Sequence, residues 1–274
     1  MAIDLLALWD FSKPELSEQR FRDALESATP DEQLILQTQI ARSFGLRSDF
    51  AAAQEVLASI EPMLSQASDE VRVRYYLELG RTCSSTTHGE GPQPSEVREQ
   101  ARDCYMKCFE LAKASQLDYL AIDALHMMAV VDTDPDDQLA WDLRALSYME
   151  NSTQADAKRW EGSLRNNAGY ALHLAGRYDE ALAQFYLALS LQLKSGKIRG
   201  IRVAYWMIAW TLRAMDRLHE ALDIQLRLEQ EWDADGEPSQ YVYQELEHLY
   251  SALQETERSE HYAQLRKAIA PETE

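Results

Sequence analysis

The residues of this chain with the widest chemical repertoire are six histidines, at positions 88, 126, 173, 219, 248 and 261, and three cysteines, Cys83, Cys104 and Cys108. No two histidines stand at the HExxH or HxH spacing that puts a pair of imidazoles on one metal. Cys104 and Cys108 are four apart on an expected helix over Ser95–Ser115, so they share a face. Two ligands do not make a tetrahedral site, and the only local third candidate, His88, sits in a Gly/Pro-rich stretch; the pair is read as small buried hydrophobes. GxGxxG, GxxxxGK[ST] and GxSxG are all absent, and with them the phosphate cradle and the nucleophile elbow. The acidic runs Asp132–Asp137 and Glu229–Glu237 lack the turn glycine of a calcium loop, and are read as solvated turns and helix caps. No catalytic residue, no metal ligand and no cofactor is assigned.

Composition narrows the classes further. The chain has 274 residues, 27 Lys+Arg against 46 Asp+Glu, and a net charge of −19. Nucleic acid and anionic membrane surfaces are bound through Lys and Arg, so both are poor partners for such a chain. The start Met1-Ala2-Ile3-Asp4 has no basic stretch, no apolar run approaches the roughly 20 residues of a membrane span, and three cysteines fit reduced thiols. A cytoplasmic protein is expected. With 10 Gly and 8 Pro, turn formers are too scarce for an all-β fold.

The elements that must position any site come from an internal repeat. Ser163 to Gly196 reads as two helices, with Gly169, Leu172, Ala181, Phe185 and Ala188 at offsets 0, +3, +12, +16 and +19. Small residues stand where the helices approach, and Phe185 fills the gap towards the neighbouring pair. The same offsets recur at Ala209, Leu212, Ala221, Gln225, Leu228; at Leu249, Ala252, His261, Leu265, Ala268; and at Ala41, Phe44, Ala53, Leu57, Ile60. Gly80, Cys83, Ala101, Tyr105 and Cys108 fit once the turn is lengthened by the Thr86–Pro94 insertion. Met127, Val130, Leu139, Leu143 and Leu146 form a degenerate copy, and Leu5, Leu8, Ser17, Phe21 and Ala24 a first one.

This pattern resembles the tetratricopeptide repeat (TPR) superfamily over nearly the whole chain. Its steps of roughly 40 residues are similar to the longer repeats of kinesin light chains and bacterial peptide-pheromone receptors. The resemblance implies an all-α fold, a right-handed α-solenoid of about seven helix pairs, as a single domain over 1–274. The expected pairs are 1–28 (a degenerate N-terminal cap), 34–66, 73–115, 120–150, 162–196, 202–233 and 242–270, with 86–94 an inserted loop. Gln225 and His261 depart from the pattern.

In this repeat class the first helix of each pair lines a concave face. Carried over residue by residue, the exposed stripe includes Arg42, Arg81, Asn166, Asn167, Tyr170, His173, Trp206, Trp210, Arg213 and Tyr250. Aromatic anchors with a few guanidinium groups suit a peptide bearing apolar side chains and a carboxylate. Related receptors hold a peptide backbone with an Asn at the place of Asn166-Asn167. The alternatives stay open: Trp206 and Trp210 are four apart, and an aromatic stripe at helical spacing also suits core. The two asparagines could satisfy a neighbouring helix end, and Arg42 and Arg81 could pair with Glu78 and other acids.

The expected function is a non-catalytic protein- or peptide-binding scaffold. The alternatives are a receptor for a small signalling peptide acting through a partner protein, or a homodimeric scaffold joined at the apolar edge Met1–Trp9. The chain enters its first repeat within about ten residues, which leaves no room there for the output domain such receptors carry. An enzyme has only the shared stripe of His173, Tyr170 and Arg213 in its favour. The expected partner is a protein or peptide, with the chain a monomer or homodimer.

Overall fold

The computed structural model describes residues 3–84 and 94–269. The Thr86–Pro94 insertion, Pro94 apart, lies outside the described residues, as do Met1 and Ala2 of the N-terminal edge. Among the described residues the chain is helical, without strands. In order the helices are α1 (Leu5–Leu8), α2 (Pro14–Leu25), α3 (Pro30–Leu46), α4 (Phe50–Ile60), α5 (Asp69–Ser84), α6 (Ser95–Ala114), α7 (Asp118–Val131) and α8 (Pro135–Asn151). They continue as α9 (Glu161–Leu174), α10 (Tyr178–Ser195), α11 (Ile198–Ala214), α12 (Leu218–Ala234), α13 (Gln240–Ala252) and α14 (Thr256–Ile269). The fold is all-α, a TPR-like α-solenoid of seven helix pairs. Contacts group it into two compact units, Met1–Trp160 and Glu161–Glu274.

Local chemistry sets the helix ends. Thr29 and Glu32 form a reciprocal capping box ahead of α3, with Pro30 in the first turn, satisfying amides that have no partner inside the helix. Asp49 and Asp134 accept from the first amides of α4 and α8. Two of the turns within pairs show one shared geometry. Arg177 N donates to Leu172 O at 2.8 Å and Arg217 N to Leu212 O at 2.9 Å. In each, the residue just before the donor is left-handed: Gly176 at φ 74° and Asp216 at φ 59°. This is a helix stop that satisfies the carbonyls the helix leaves over.

Packing follows the small-to-large offsets. A Cβ on Gly80 would lie 2.6 Å from the Tyr105 ring, and one on Gly169 2.6 Å from the Phe185 ring. In both pairs the aromatic of the second helix lies directly on the first helix's backbone. Cys108 is buried and Cys104 partly so; burial first of all pushes the Cys104 thiol up to about 11.

Two copies are registered differently from the sequence pattern. In α8, Leu143 is 48% exposed, and the buried positions include Asp142, Leu146 and Met149. Leu139 and Leu146 are buried at their expected offsets, and the buried Asp142 stands beside the position where the pattern calls for the aromatic. In α14 the inward residue is Tyr262 rather than His261, because its ring stacks on Tyr250 at 5.6 Å. Gln225, in the aromatic position, is fully buried with neither amide atom bonded.

Within each unit first helices touch one another: α3 with α5 and α5 with α7, then α9 with α11 and α11 with α13. That contact gives each unit a continuous first-helix face. It also buries much of the expected stripe; Thr38, Gln39, Leu77, Glu78, Leu125 and Leu246 are all buried.

Candidate functional site

In the first unit the face centres on charge. Arg81 Nη1 donates to Glu78 Oε1 at 2.6 Å, its Nη2 reaches Asp123 Oδ1, and Arg42 Nη1 lies 3.5 Å from Glu78 Oε2. Glu78 and Asp123 are 4% and 7% exposed. Burial alone would raise the Asp123 carboxyl, but the positive charges of Arg81 and then Arg42 outweigh it and hold it below the ordinary value. Arg42, Glu78 and Arg81 line a cavity of about 200 Å3 with Phe50 and Met127. Two cations face two carboxylates, so both predicted arginines are engaged internally.

In the second unit the face is aromatic. Tyr170 stacks on Trp210 at 5.6 Å and Trp206 on Trp210 at 5.8 Å, while Tyr241 meets Trp206 edge-on at 6.4 Å. Rings from α9, α11 and α13 thus form one ladder. Trp206 and Trp210 are partly buried, and Tyr170 is 41% exposed. Trp206 Nε1 donates to the Tyr241 carbonyl at 3.2 Å, which fixes its indole.

Three predicted groove residues are buried or paired instead of open. His173 is buried against the other face of Trp210, not open to the groove. Arg213 makes a two-pronged pair with Glu245, Nε to Oε2 at 2.7 Å and Nη2 to Oε1 at 2.9 Å. Tyr250 is 4% exposed and belongs to the cluster of Val242, Tyr243, Leu246 and Tyr262. His173 and Arg213 are covered by the first helix of the next pair, and Tyr250 by α14 of its own pair.

Asn166 and Asn167 lie partly buried on a cavity of about 630 Å3 between α9, the end of α10 and the start of α11. A second cavity of about 510 Å3 adjoins it through Arg199 and Val203, which line both. Its walls include Trp206, Met207, Trp232 and Tyr241. Of these lining residues, Gln192, Lys197, Arg199 and Tyr241 escaped the repeat-based reading, since they fall on helix ends outside the stripe offsets. Charge patterning carries a signal for them. Between Glu180 and Asp216 there is no acidic residue, while Lys194, Lys197, Arg199, Arg202 and Arg213 all occur.

The geometry defines a helix-pair solenoid with an aromatic, amide-lined face. No protein-family model and no curated protein matches the sequence. Solved structures do match it. The apo form of RapI superposes with TM-score 0.71 at 12% identity, over 96% of this chain and 73% of that one. A STAND signal-transduction ATPase with a tetratricopeptide repeat sensor, from Pyrococcus horikoshii, gives 0.69 at 11% identity, over 93% of this chain and 40% of that one. NprR in complex with its cognate peptide NprX gives 0.59 at 14% identity, over 98% and 77%. At such identities the likeness is one of fold, and the fold is TPR-like. Among the described residues no helix is long and apolar enough to cross a membrane.

Proposed function

We propose that this chain is a non-catalytic, cytoplasmic binding protein whose first-helix face in 161–274 holds a peptide, either a segment of a partner protein or a free signalling peptide. One observation carries the reading. Trp206 and Tyr241 of the ladder Tyr170–Trp210–Trp206–Tyr241 line one cavity, and Asn166, without a hydrogen-bond partner among the described residues, lines the cavity that adjoins it. Aromatic rings give large contact area at small entropic cost, and a free amide can both donate to and accept from a peptide backbone. The fold shared with NprR, which has been solved with its peptide, supports this class of ligand. It does not choose between a free peptide and a partner's segment.

The test is selection from a random peptide library on the wild-type protein and on Asn166→Ala and Trp206→Ala, each checked for unchanged helicity. Peptides enriched by wild type and lost by both variants support the reading. Failure to enrich any sequence in repeated selections removes it.

A further inference from the structure

The arginines on the expected stripe are all neutralised by carboxylates, but several cations off it, Lys197 and Arg199 among them, are not. Lys197 and Arg199 are exposed, and neither has an ion-pair or hydrogen-bond partner among the described residues. Both line the larger cavity of the second unit. Its other walls are Gly162, Ser163, Asn166, Asn167, Ala188, Gln192, Ile198, Gly200, Val203 and Ala204, with no acid among them. In a chain of net charge −19, an acid-free cavity with two unpaired cations is a local inversion of the field. Screening over about 8 Å at physiological salt lets such an inversion act on a bound group despite the distant acids.

The floor of this cavity is also built. The Gln192 amide reaches across from α10 and lies between two glycines. A Cβ on Gly200 would stand 2.5 Å from Gln192 Oε1, and one on Gly162 3.3 Å from Nε2. Side chains on α9 and α11 are absent at the two points where the amide crosses. Like Asn166, the Gln192 amide has no partner among the described residues, so two amides with free donors and acceptors stand beside the two cations.

The adjoining cavity is of opposite character. Trp206, Met207, Trp232, Tyr241 and Val242 line it, and Arg202, which also borders it, is held by Glu231 and Asp235 and stacked on Trp232 at 4.6 Å. Its one acidic wall residue is Glu237. Among the described residues the two most exposed large apolar side chains, Ile198 at 63% and Tyr241 at 60%, line these cavities, and Val203 at 41% lines both. Seven helical residues separate Arg199 from Trp206, roughly 10 Å at 1.5 Å each, about three residues of an extended strand.

We infer that the two cavities form one bipartite site for an extended peptide. An acidic side chain sits against Lys197 and Arg199, and a large apolar side chain about three residues away fills the Trp206–Trp232–Tyr241 cavity. The Asn166 and Gln192 amides take backbone groups between them. The two cations stand on the exposed rim, which suits a side chain from a strand running past. This assignment rests on the proposed peptide-binding function and names the ligand's chemistry.

The experiment uses a random peptide library fused through its C-terminal end to a phage coat protein, so that no peptide offers a free terminal carboxylate. Targets are the wild type, Lys197→Gln/Arg199→Gln, Gly200→Ala and Trp206→Ala, and enriched peptides are re-made with amidated ends for titration. The expected result is enrichment of Asp or Glu about three positions from Leu, Phe, Tyr or Trp. Affinity should fall about tenfold in the double variant and on Asp→Asn or Glu→Gln exchange in the peptide, and decline with added NaCl. Gly200→Ala, which displaces Gln192 without changing charge, should weaken binding several-fold. Peptides that lack acids, bind the double variant equally and are lost only on Trp206→Ala overturn this inference and leave the binding function standing. Peptides indifferent to every variant, or no enrichment at all, remove both.

Discussion

His173 lies face to face with Trp210, with ring centroids 3.3 Å apart and planes at 14°. Its Nδ1 is 2.9 Å from Thr211 Oγ1. Burial, and after it the nearby Arg213 charge, pushes the imidazole down to about 4 from the ordinary 6.5. The folded state therefore keeps His173 neutral where the unfolded chain takes a proton. Its contribution is complete above pH 6.5 and is lost as pH falls from there towards 4, with about 1–2 kcal/mol gone by pH 5. The difference in Tm between pH 7 and pH 5 should shrink in His173→Gln. An unchanged difference would mean that His173 is not what loosens the ladder in acid.

Arg213 and Glu245 are unequal partners. Glu245 is buried at 3%, while the Arg213 side chain retains 27% exposure. Removing the cation leaves a buried carboxylate with only the His248 ring beside it among the described residues, Nδ1 3.7 Å from Oε1, whereas removing the acid leaves a guanidinium that can still turn outwards. Arg213→Met should cost about 3–5 kcal/mol and Glu245→Gln distinctly less. Urea unfolding of the two variants side by side decides it, and equal losses would contradict the asymmetry.

Asp142 is 1% exposed, its Oδ1 has no partner, and burial alone raises its carboxyl to about 7. Here the folded state holds a proton that the unfolded chain gives up near the ordinary 3.8. Stability from this group thus declines as pH rises from about 4 to about 7 and stays low beyond. Asp142→Ala removes the buried carboxyl. It should be more stable than wild type at pH 8, by a few kcal/mol in order of magnitude, with the gain shrinking towards pH 5. A gain independent of pH would trace to packing instead.

Three helical glycines give opposite signs. Gly80 and Gly169 lie under the Tyr105 and Phe185 rings, while a Cβ on Gly45 would meet nothing within 4 Å. Alanine at Gly80 or Gly169 should therefore destabilise by about 1–3 kcal/mol through overpacking. Alanine at Gly45 should stabilise by about 0.5–1 kcal/mol through helix propensity and unfolded-chain entropy. Thermal melts of the three single variants check the contrast.

Much of the architecture was legible because a repeat states its packing rule several times. The offsets mark Gly169 and Phe185 as packing positions, and the structure lays the Phe185 ring on Gly169 of its own pair, where the sequence pattern pointed it towards the neighbouring one. The rule weakened where one apolar residue is as good as another. Leu143 and Leu146 both fell on inward offsets, and the packing of α8 buries Leu146 while it exposes Leu143 and turns Asp142 inward. Likewise His261 held the expected offset, while the stacking of Tyr262 on Tyr250 set the register. The candidate site was legible in part. Of the expected stripe, Asn166, Tyr170, Trp206 and Trp210 are at least partly exposed on α9 and α11, whereas His173 and Tyr250 are buried.

The sequence by itself determined the helices, their pairing and the strongly acidic character, because periodicity, caps and charge are properties of neighbours along the chain. Which cations are free was decided only by the tertiary structure. Arg42, Arg81 and Arg213 look available until Glu78, Asp123 and Glu245 are brought to them from other helices. Lys197 and Arg199 remain unpaired because α9 and α10 bring only amides, glycines and small side chains to the start of α11. Ion pairing falls off over a few ångströms, and such distances are set by how helices pack, not by how residues follow one another.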